Sequence, residues 1–486
     1  MMRLKITLVG IALACAGAFS FASAQSVDVR SAVDELLEQR SSQPESVPLR
    51  DFDEAWRLVR DTHFDPTFNG VDWDSVRDEL RPHAIDATQA EVRGIILEML
   101  SRLGQSHFSV IPKSGGGVVP FDSGEDGDEP GFVETLEPSL PTLELKLAET
   151  EGEAGSARPG FEIRLVGDNA VVVGVRPGSD AASKGVRPGW ELLAVGNDAL
   201  APIIVEQVGA LGRRTGAMYV AQIVDAMLMG ADGSSTRLVF RDGEGEETAL
   251  EIVREPLSES PVAFGGLPPM SPNFEHRWLD PGPLGLPEGT RIGYISFDVW
   301  LQTIPRQFDG AMVEFQDADG LIIDLRGNIG GIGAISMMIG RYLVDERASL
   351  GTMRMRDQEM HFNMQPVMVS MTGEDLEPYD GPVAVLIDGG SASTSEIFAA
   401  GIRELGRARL FGSATPGMAL PAMMSTLPSG DVLLHAMAGF ETPGGFTMEQ
   451  AGVTPDVDAP WTRESLLEGR DDALDAAAEW IVHGEQ

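Results

Sequence analysis

The sequence predicts an α/β protein whose core is a mixed sheet with βαβ units. After about residue 290, short apolar runs such as Val383–Ile387 alternate with amphipathic helical segments, an order that is typical of partly parallel sheets. Before residue 115, apolar residues repeat at helical spacing in two stretches, 52–59 and 92–103, which predicts a helical subdomain. Between residues 157 and 256, apolar and polar residues alternate in short runs, which predicts a β-rich domain inserted between the two.

Composition excludes several classes of function. The chain has 486 residues, enough for two to four domains, and a formal net charge of −39. Such acidity repels polyanions, so we expect no nucleic-acid partner. The single cysteine, Cys15, lies in the apolar N-terminal stretch, which excludes thiolate metal sites and a cysteine nucleophile elsewhere. The acidic run at 122–129 does not follow a calcium-loop spacing. We therefore predict no metal and no cofactor.

The first 24 residues have the pattern of a secretory signal peptide. A short basic start is followed by an apolar run and then by Ala22-Ser23-Ala24, after which cleavage is expected. Lipidation of Cys15 is a weaker alternative, because the three residues before it fit a lipidation box poorly. No later segment is apolar enough to cross a bilayer. The mature protein is therefore expected to be secreted or periplasmic.

Changes in composition divide the rest of the chain into segments. The division predicts a polar tether at 25–48, a helical subdomain at 49–115, an acidic Gly/Pro-rich linker at 116–156, a β-rich domain at 157–256, a second linker at 257–290, the α/β core at 291–460 and a C-terminal helix at 461–486. Helix stop signals and Pro-rich stretches set most of these boundaries.

The β-rich domain resembles a bacterial PDZ domain through the sequence at 179–189, Ser-Asp-Ala-Ala-Ser-Lys-Gly-Val-Arg-Pro-Gly. It departs from that pattern at Trp190, where members often have Asp. The resemblance implies that a polypeptide adds as a strand to an open sheet edge, at Gly160, Phe161, Glu162 and Ile163. A purely structural spacer is the alternative interpretation.

Two turns rich in small residues follow buried strands and precede helices. Their sequences are Asp324-Leu325-Arg326-Gly327-Asn328-Ile329-Gly330-Gly331 and Asp388-Gly389-Gly390-Ser391-Ala392-Ser393-Thr394-Ser395-Glu396. The first matches neither common phosphate-binding motif. A strand–turn–helix of the second kind can expose a hydroxyl nucleophile beside free backbone N–H groups. A helix simply capped by serine is the other interpretation.

Together with Gly452-Val453-Thr454-Pro455-Asp456, these motifs resemble those of the C-terminal processing (tail-specific) and tricorn-type serine peptidases. The resemblance covers nearly all of residues 50–480 and implies a core like that of ClpP and the crotonases. It also implies that Ser393 is the nucleophile, with Ser391 and Ser395 as capping or packing hydroxyls. The oxyanion hole would be formed by the amide of Thr394 and that of Gly330 or Gly331.

The general base distinguishes the branches of this family. Tail-specific members use a lysine, but Met418 stands at that position and no lysine follows Lys184 in the sequence. A Ser/Lys pair is therefore excluded. Tricorn-type members use a histidine preceded by serine together with a late glutamate, and this chain has Ser106-His107 and Glu449. Whether Ser106 or Glu449 contacts the imidazole stays open at this point, and His435 is a second candidate for the base.

The function predicted from these motifs is that of a serine endopeptidase acting on unfolded or extended polypeptides through an acyl-enzyme. The PDZ-like domain would help to engage the polypeptide. The alternative is a catalytically inactive relative that binds a peptide or an apolar ligand. Large assemblies occur among tricorn-type relatives, which leaves a homo-oligomer open.

Overall fold

The computed structural model describes residues 46–113, 157–256, 262 and 272–484. The predicted signal peptide, the linker at 116–156 and nearly all of the tether lie outside these residues. Within them, the chain has the mixed α/β fold with several sheets and helices that the sequence predicts.

The helical part contains three helices, α1 (Val47–Thr62), α2 (Trp73–Ala84) and α3 (Gln89–Ser101). The periodicity predicted α1 and α3 but not α2. The indole N–H groups of Trp56 and Trp73 donate to each other's backbone carbonyls and so join α1 to α2. Strand β1 (Ser109–Ile111) follows α3 and pairs with the core. The short link between α3 and β1 therefore lies against the core, and it carries Ser106 and His107.

The β-rich unit is an antiparallel sheet with two helices. Its strands are β2 (Ala157–Arg158), β3 (Phe161–Val166), β4 (Asn169–Val175), β5 (Glu191–Val195), β6 (Asp198–Ala199), β7 (Ser235–Arg241), β8 (Glu247–Val253) and β9 (Glu255–Pro256). The main sheet has the order β3-β4-β5-β7-β8, so β3 is an edge strand. Helix α4 (Asp180–Ser183) is short, and α5 (Leu200–Leu228) is long. Helical character is visible in the sequence from Ile204 to Leu211, and Gly212, at φ 70°, breaks α5 directly after that segment.

The core is built on a six-stranded sheet with the order β10-β11-β12-β15-β16-β20. Its strands are β10 (Phe274–Trp278), β11 (Ile292–Phe297), β12 (Gly320–Asp324), β15 (Val383–Ile387), β16 (Arg409–Gly412) and β20 (Val457–Asp458). All neighbouring pairs are parallel except β10 with β11. Every residue of β12 and β15 is buried, which explains why these strands are continuous apolar runs. The predicted linker at 257–290 needs correction, since β10 lies within it as an antiparallel edge strand.

Helices cover both faces of this sheet. On one face lie α6 (Ile304–Glu314), α7 (Ala334–Gly340) and α8 (Thr394–Glu404). The segment after residue 460 forms two helices rather than one, α9 (Arg463–Leu467) and α10 (Asp472–His483). Helix α10 packs Ala473, Ala477 and Ala478 on the other face of the sheet.

Smaller sheets complete the core. Strands β13 (Ala348–Met355), β14 (Glu359–Met364) and β19 (Ala438–Glu441) form one, and β1 joins β17 (Ala422–Thr426) and β18 (Val432–Ala436) in another. The second sheet connects the helical part to the core through a shared apolar cluster. In the described part of the chain, no helix is long and apolar enough to cross a membrane.

Candidate active site

Ser393 stands in the turn between β15 and α8, with an unusual backbone conformation. Its φ is 57° and its ψ −115°, a region that costs a residue other than glycine about 1–3 kcal/mol. The neighbouring hydroxyls are buried and serve packing. Ser391 Oγ donates to the carbonyl of Leu325 at 2.7 Å, and Ser395 Oγ donates to the carbonyl of Asn328 at 3.0 Å. These bonds tie the serine turn to the glycine-rich turn.

The structure brings Ser393, His107, Ser106 and Glu449 together in a chain of hydrogen bonds. Ser393 Oγ lies 3.2 Å from Nε2 of His107. On the other side of the ring, Nδ1 lies 2.8 Å from Ser106 Oγ. Glu449 accepts from the hydroxyl and from the amide of Ser106, each at 2.8 Å. The imidazole is therefore contacted by Ser106, and Glu449 acts on it through Ser106.

The order of these contacts fixes the tautomer of His107. An ionised carboxylate only accepts hydrogen bonds, so the hydroxyl of Ser106 donates to Glu449. Its oxygen is then free to accept from Nδ1–H of His107. This leaves Nε2 without a proton and able to accept one from the hydroxyl of Ser393. The arrangement suits proton transfer from serine to histidine.

Burial sets the charge state of the site. It lowers the pKa of His107 to about 4, because the desolvated imidazolium is disfavoured. His107 is therefore neutral at neutral pH, as a base must be. Burial also raises the pKa of Glu449, while hydrogen bonds from Ser106 and Ala419 oppose that shift.

The backbone beside Ser393 offers amide groups to a developing oxyanion. The amide of Gly330 already donates to Asn328 Oδ1 at 3.0 Å. Among the hydrogen bonds of the described residues, none uses the amide of Gly331 or of Thr394. Glycine is required here, because a Cβ on Gly330 would lie 2.6 Å from Cβ of Ser393 and one on Gly331 2.5 Å from the carbonyl of Trp300.

Buried ionic contacts hold the glycine-rich turn in place. Arg326 is sandwiched between Asp324, at 2.6 Å, and Asp471, at 2.7 Å. Tyr294 donates its hydroxyl proton to Asp324 at 2.8 Å, and the amide of Gly327 donates to Asp388 at the same distance. Arg326 and Asp324 therefore anchor the turn.

The structure also locates Met418, which stands at the lysine position of the tail-specific members, and His435, the second candidate for the base. The carbonyl of Met418 accepts the amide of Ser393 at 2.9 Å, so Met418 does lie beside the serine. His435 does not. Its ring nitrogens hydrogen-bond with the hydroxyls of Thr62, at 3.1 Å, and Ser425, at 3.0 Å, and the ring is buried.

The four residues predicted for peptide binding lie outside this constellation. Phe161 and Ile163, on edge strand β3, point into the core of the β-rich unit, whereas Glu162 is exposed. Gly160 packs so closely on Ser179 that a Cβ would lie 2.3 Å from Cβ of that serine. The next residue after the predicted set, Arg164, reaches the core and lies 3.6 Å from Asp388.

One residue of the site has no predicted role in the sequence, although its signal is visible there. Glu396 is fully buried, and its carboxylate accepts the amide of Ser393 at 3.1 Å. A serine followed three residues later by glutamate at a helix start is the pattern of a capping box. The described residues contain no group of three or more His, Cys, Asp or Glu arranged to hold a metal ion.

Comparison with known proteins identifies the core. Residues 291–459 match the model of peptidase family S41, and residues 47–101 match that of the tricorn protease C1 domain. The chain carries a peptidase family S41 domain. Ser393 and Glu449 both lie within this S41 domain, whereas Ser106 and His107 come from the segment just after the C1 match.

Relatives extend the S41 similarity over most of the chain. The carboxyl-terminal-processing peptidase 3 of Arabidopsis thaliana is 26% identical over 83% of this chain and 67% of its own length. The carboxyl-terminal-processing protease of Picosynechococcus is 23% identical over 84% and 82%. Tricorn protease homolog 1 of Streptomyces coelicolor is 24% identical over 88% of this chain but only 34% of its own length.

A solved structure shows the same fold. The photosystem II D1 C-terminal processing protease superposes with a TM-score of 0.53 and 22% identity, covering 90% of this chain and 98% of its own.

Proposed function

We propose that this protein is a serine endopeptidase that hydrolyses peptide bonds of unfolded or extended polypeptides, with Ser393 as nucleophile and His107 as general base. The class of activity, a serine-type peptidase, is that of the S41 domain and of the carboxyl-terminal-processing relatives. The assignment of residues rests on one observation. A continuous chain of hydrogen bonds runs from Ser393 through His107 and Ser106 to Glu449.

In the first half of the reaction, Ser393 Oγ attacks the carbonyl carbon of the peptide bond and its proton passes to Nε2 of His107. The negative charge that forms on the carbonyl oxygen is stabilised by the amides of Thr394 and Gly331, and each such donor contributes roughly 3 kcal/mol. The C–N bond then breaks, and His107 gives its proton to the leaving amine.

In the second half, water attacks the acyl-enzyme. His107 takes a proton from the water, and the ester bond to Ser393 breaks with return of that proton to Oγ. During both halves the imidazolium is formed only transiently. Glu449 favours it through the hydroxyl of Ser106, which compensates in part for the cost of charge in a buried site.

The finer assignments of the other domains belong to the same proposal. The β-rich unit is a PDZ-like domain that takes up polypeptide along edge strand β3. Support comes from the position of β3 at the edge of the antiparallel sheet among the described strands, and from α5, which packs beside β3. The core is of the ClpP/crotonase type, supported by its consecutive parallel strands with helices between them. The N-terminal pattern supports export and cleavage after Ala24, giving a secreted or periplasmic protein.

A fluorophosphonate probe tests the central assignment. The purified mature protein should be labelled covalently, and Ser393→Ala should abolish labelling while leaving the fold intact. Ser101→Ala, at the end of α3, is the matched control and should label like the wild type. A folded wild-type protein that stays unlabelled would support the alternative, an inactive relative that binds peptides.

A further inference from the structure

Glu396 joins the serine turn to the loop on which Met418 lies. Its Oε1 accepts the hydroxyl of Thr415 at 2.5 Å and the amide of Gly417 at 2.9 Å. Its Oε2 accepts the amide of Met418 at 2.9 Å and that of Ser393 at 3.1 Å. The carboxylate is completely buried and all of its contacts are donors. Its ionised form therefore satisfies four groups at once, from two separate segments.

The same connection extends to the motif at 452–456, which has no part in the proposed chemistry. The amide of Val453 donates to Thr415 Oγ1 at 2.7 Å, and the amide of Thr415 donates to the carbonyl of Val453 at 3.1 Å. Gly452 lies so close that a Cβ would be 2.4 Å from the carbonyl oxygen of Thr415. The motif thus fixes Thr415, and Thr415 fixes one oxygen of Glu396.

Ser393 needs such support because its backbone is strained. The amide of Ser393 is held from two sides, by the carbonyl of Met418 and by Glu396. We propose that Glu396 is a positioning residue, whose ionised carboxylate clamps the backbone of Ser393 to the loop at 415–418 and thereby keeps Oγ within reach of His107. The inference rests on the proposed peptidase function and adds a residue that acts through Ser393 without touching substrate.

Protonation of Glu396 would weaken this arrangement. The three backbone amides can only donate, so the O–H could be accommodated only by reversing the bond to Thr415, and the bonds that remain would no longer be charge-assisted. Burial raises the pKa of Glu396 to about 7, although the hydrogen bonds from the four donors lower it. The base, His107, has a pKa of about 4 and is already neutral in this range. A rise in reactivity with pH near 7 would therefore come from one of the two buried carboxyl groups whose pKa is raised, Glu396 or Glu449, and the variant Glu396→Gln distinguishes them.

Other charged groups on the surrounding elements have their own partners. These pairs are Arg403 with Asp456, Arg354 with Glu441, Glu449 with Ser106, Asp388 with Gly327, and Arg409 with the ring of Trp480. Across the site, His107 contacts Ser393 Oγ.

The test measures the second-order rate constant of fluorophosphonate labelling between about pH 5 and 9. For the wild type we expect a rise with a midpoint near 7. Glu396→Gln should lower the rate roughly 10- to 100-fold, the cost of misplacing a reacting group slightly, and should abolish the rise. Glu404→Gln, at the exposed end of the same helix, is the control and should follow the wild-type profile.

A second variant covers the case in which Glu396→Gln fails to fold. Thr415→Val removes one donor that lowers the pKa of Glu396, so the midpoint should move to higher pH. If the midpoint stays in place in Thr415→Val, or if folded Glu396→Gln keeps the wild-type rate and profile, the clamp is wrong although the peptidase stands. If the wild type itself is not labelled, both proposals fall.

Discussion

The hydroxyl of Ser106 lies 2.8 Å from Nδ1 of His107, the position that a carboxylate occupies in a Ser-His-Asp triad. The negative charge of Glu449 is one hydrogen bond further away. The imidazole is therefore oriented by a neutral group, and its tautomer depends on which way that hydroxyl donates.

Replacing Ser106 should disturb the tautomer without removing the base. Ser106→Ala takes away the acceptor for Nδ1–H and disconnects Glu449, so we expect labelling and turnover to fall by about 10² to 10⁴. Thermal unfolding should change little. Rates equal to the wild type would show that the ring is held by its surroundings alone.

Loss of the base itself should be more severe. His107→Ala removes the only proton acceptor next to Ser393 Oγ among the described contacts, and turnover should drop by at least about 10⁴. The control is His83→Ala on the exposed face of α2, which should leave turnover unchanged. A mild effect of His107→Ala would contradict the proposed role.

His435 should matter for acid stability and not for catalysis. Burial lowers its pKa to about 4 from an ordinary value of 6.5. Between these pH values the unfolded chain binds the proton and the folded chain does not, so stability decreases as the pH falls from 6.5 toward 4. His435→Gln should remove up to about 3 kcal/mol of this loss, as measured by urea unfolding across that range.

Activity gives the second readout for the same variant. His435→Gln should be labelled by fluorophosphonate at the wild-type rate, since both ring nitrogens bond to Thr62 and Ser425. Loss of labelling in a folded variant would return His435 to consideration as the base.

Arg326 should contribute far more to the free energy of unfolding than an exposed arginine does. Arg326→Met leaves the buried carboxylate of Asp324 and the partly exposed carboxylate of Asp471 without their cation, which should cost about 3–5 kcal/mol. Arg470→Met is the control, because the side chains of Arg470 and its partner Glu468 are both exposed, and it should cost no more than about 1 kcal/mol. Denaturant unfolding of both variants measures the difference, and equal costs would contradict the anchoring role.

Whether a feature of this structure can be predicted from the sequence depends on how far apart along the chain its contacting residues lie. The turn at Ser393 was predictable because a strand, small residues and a helix follow one another directly. The contact between the Ser106 hydroxyl and the His107 ring could not be predicted, because it depends on the position of Glu449 in the folded chain. Strand β10 was missed because most of its residues are polar and partly exposed, as on a sheet edge.

Glu396 shows a different reason for an incomplete prediction. Its capping contact with Ser393 is local and visible in the spacing, but the bonds to Thr415, Gly417 and Met418 come from a loop about twenty residues away. A residue that caps a helix and one that also holds a second segment have the same sequence signal. Only the fold separates them.

The site is assembled from distant parts, and this has a consequence for when the enzyme can act. Ser106 and Glu449 are 343 residues apart along the chain, so their contact forms only after the helical part has docked on the core. A chain that has not yet folded has Ser393 but no base beside it. The peptidase is therefore latent until its own folding is complete, and unfolding of the N-terminal helices alone would switch it off.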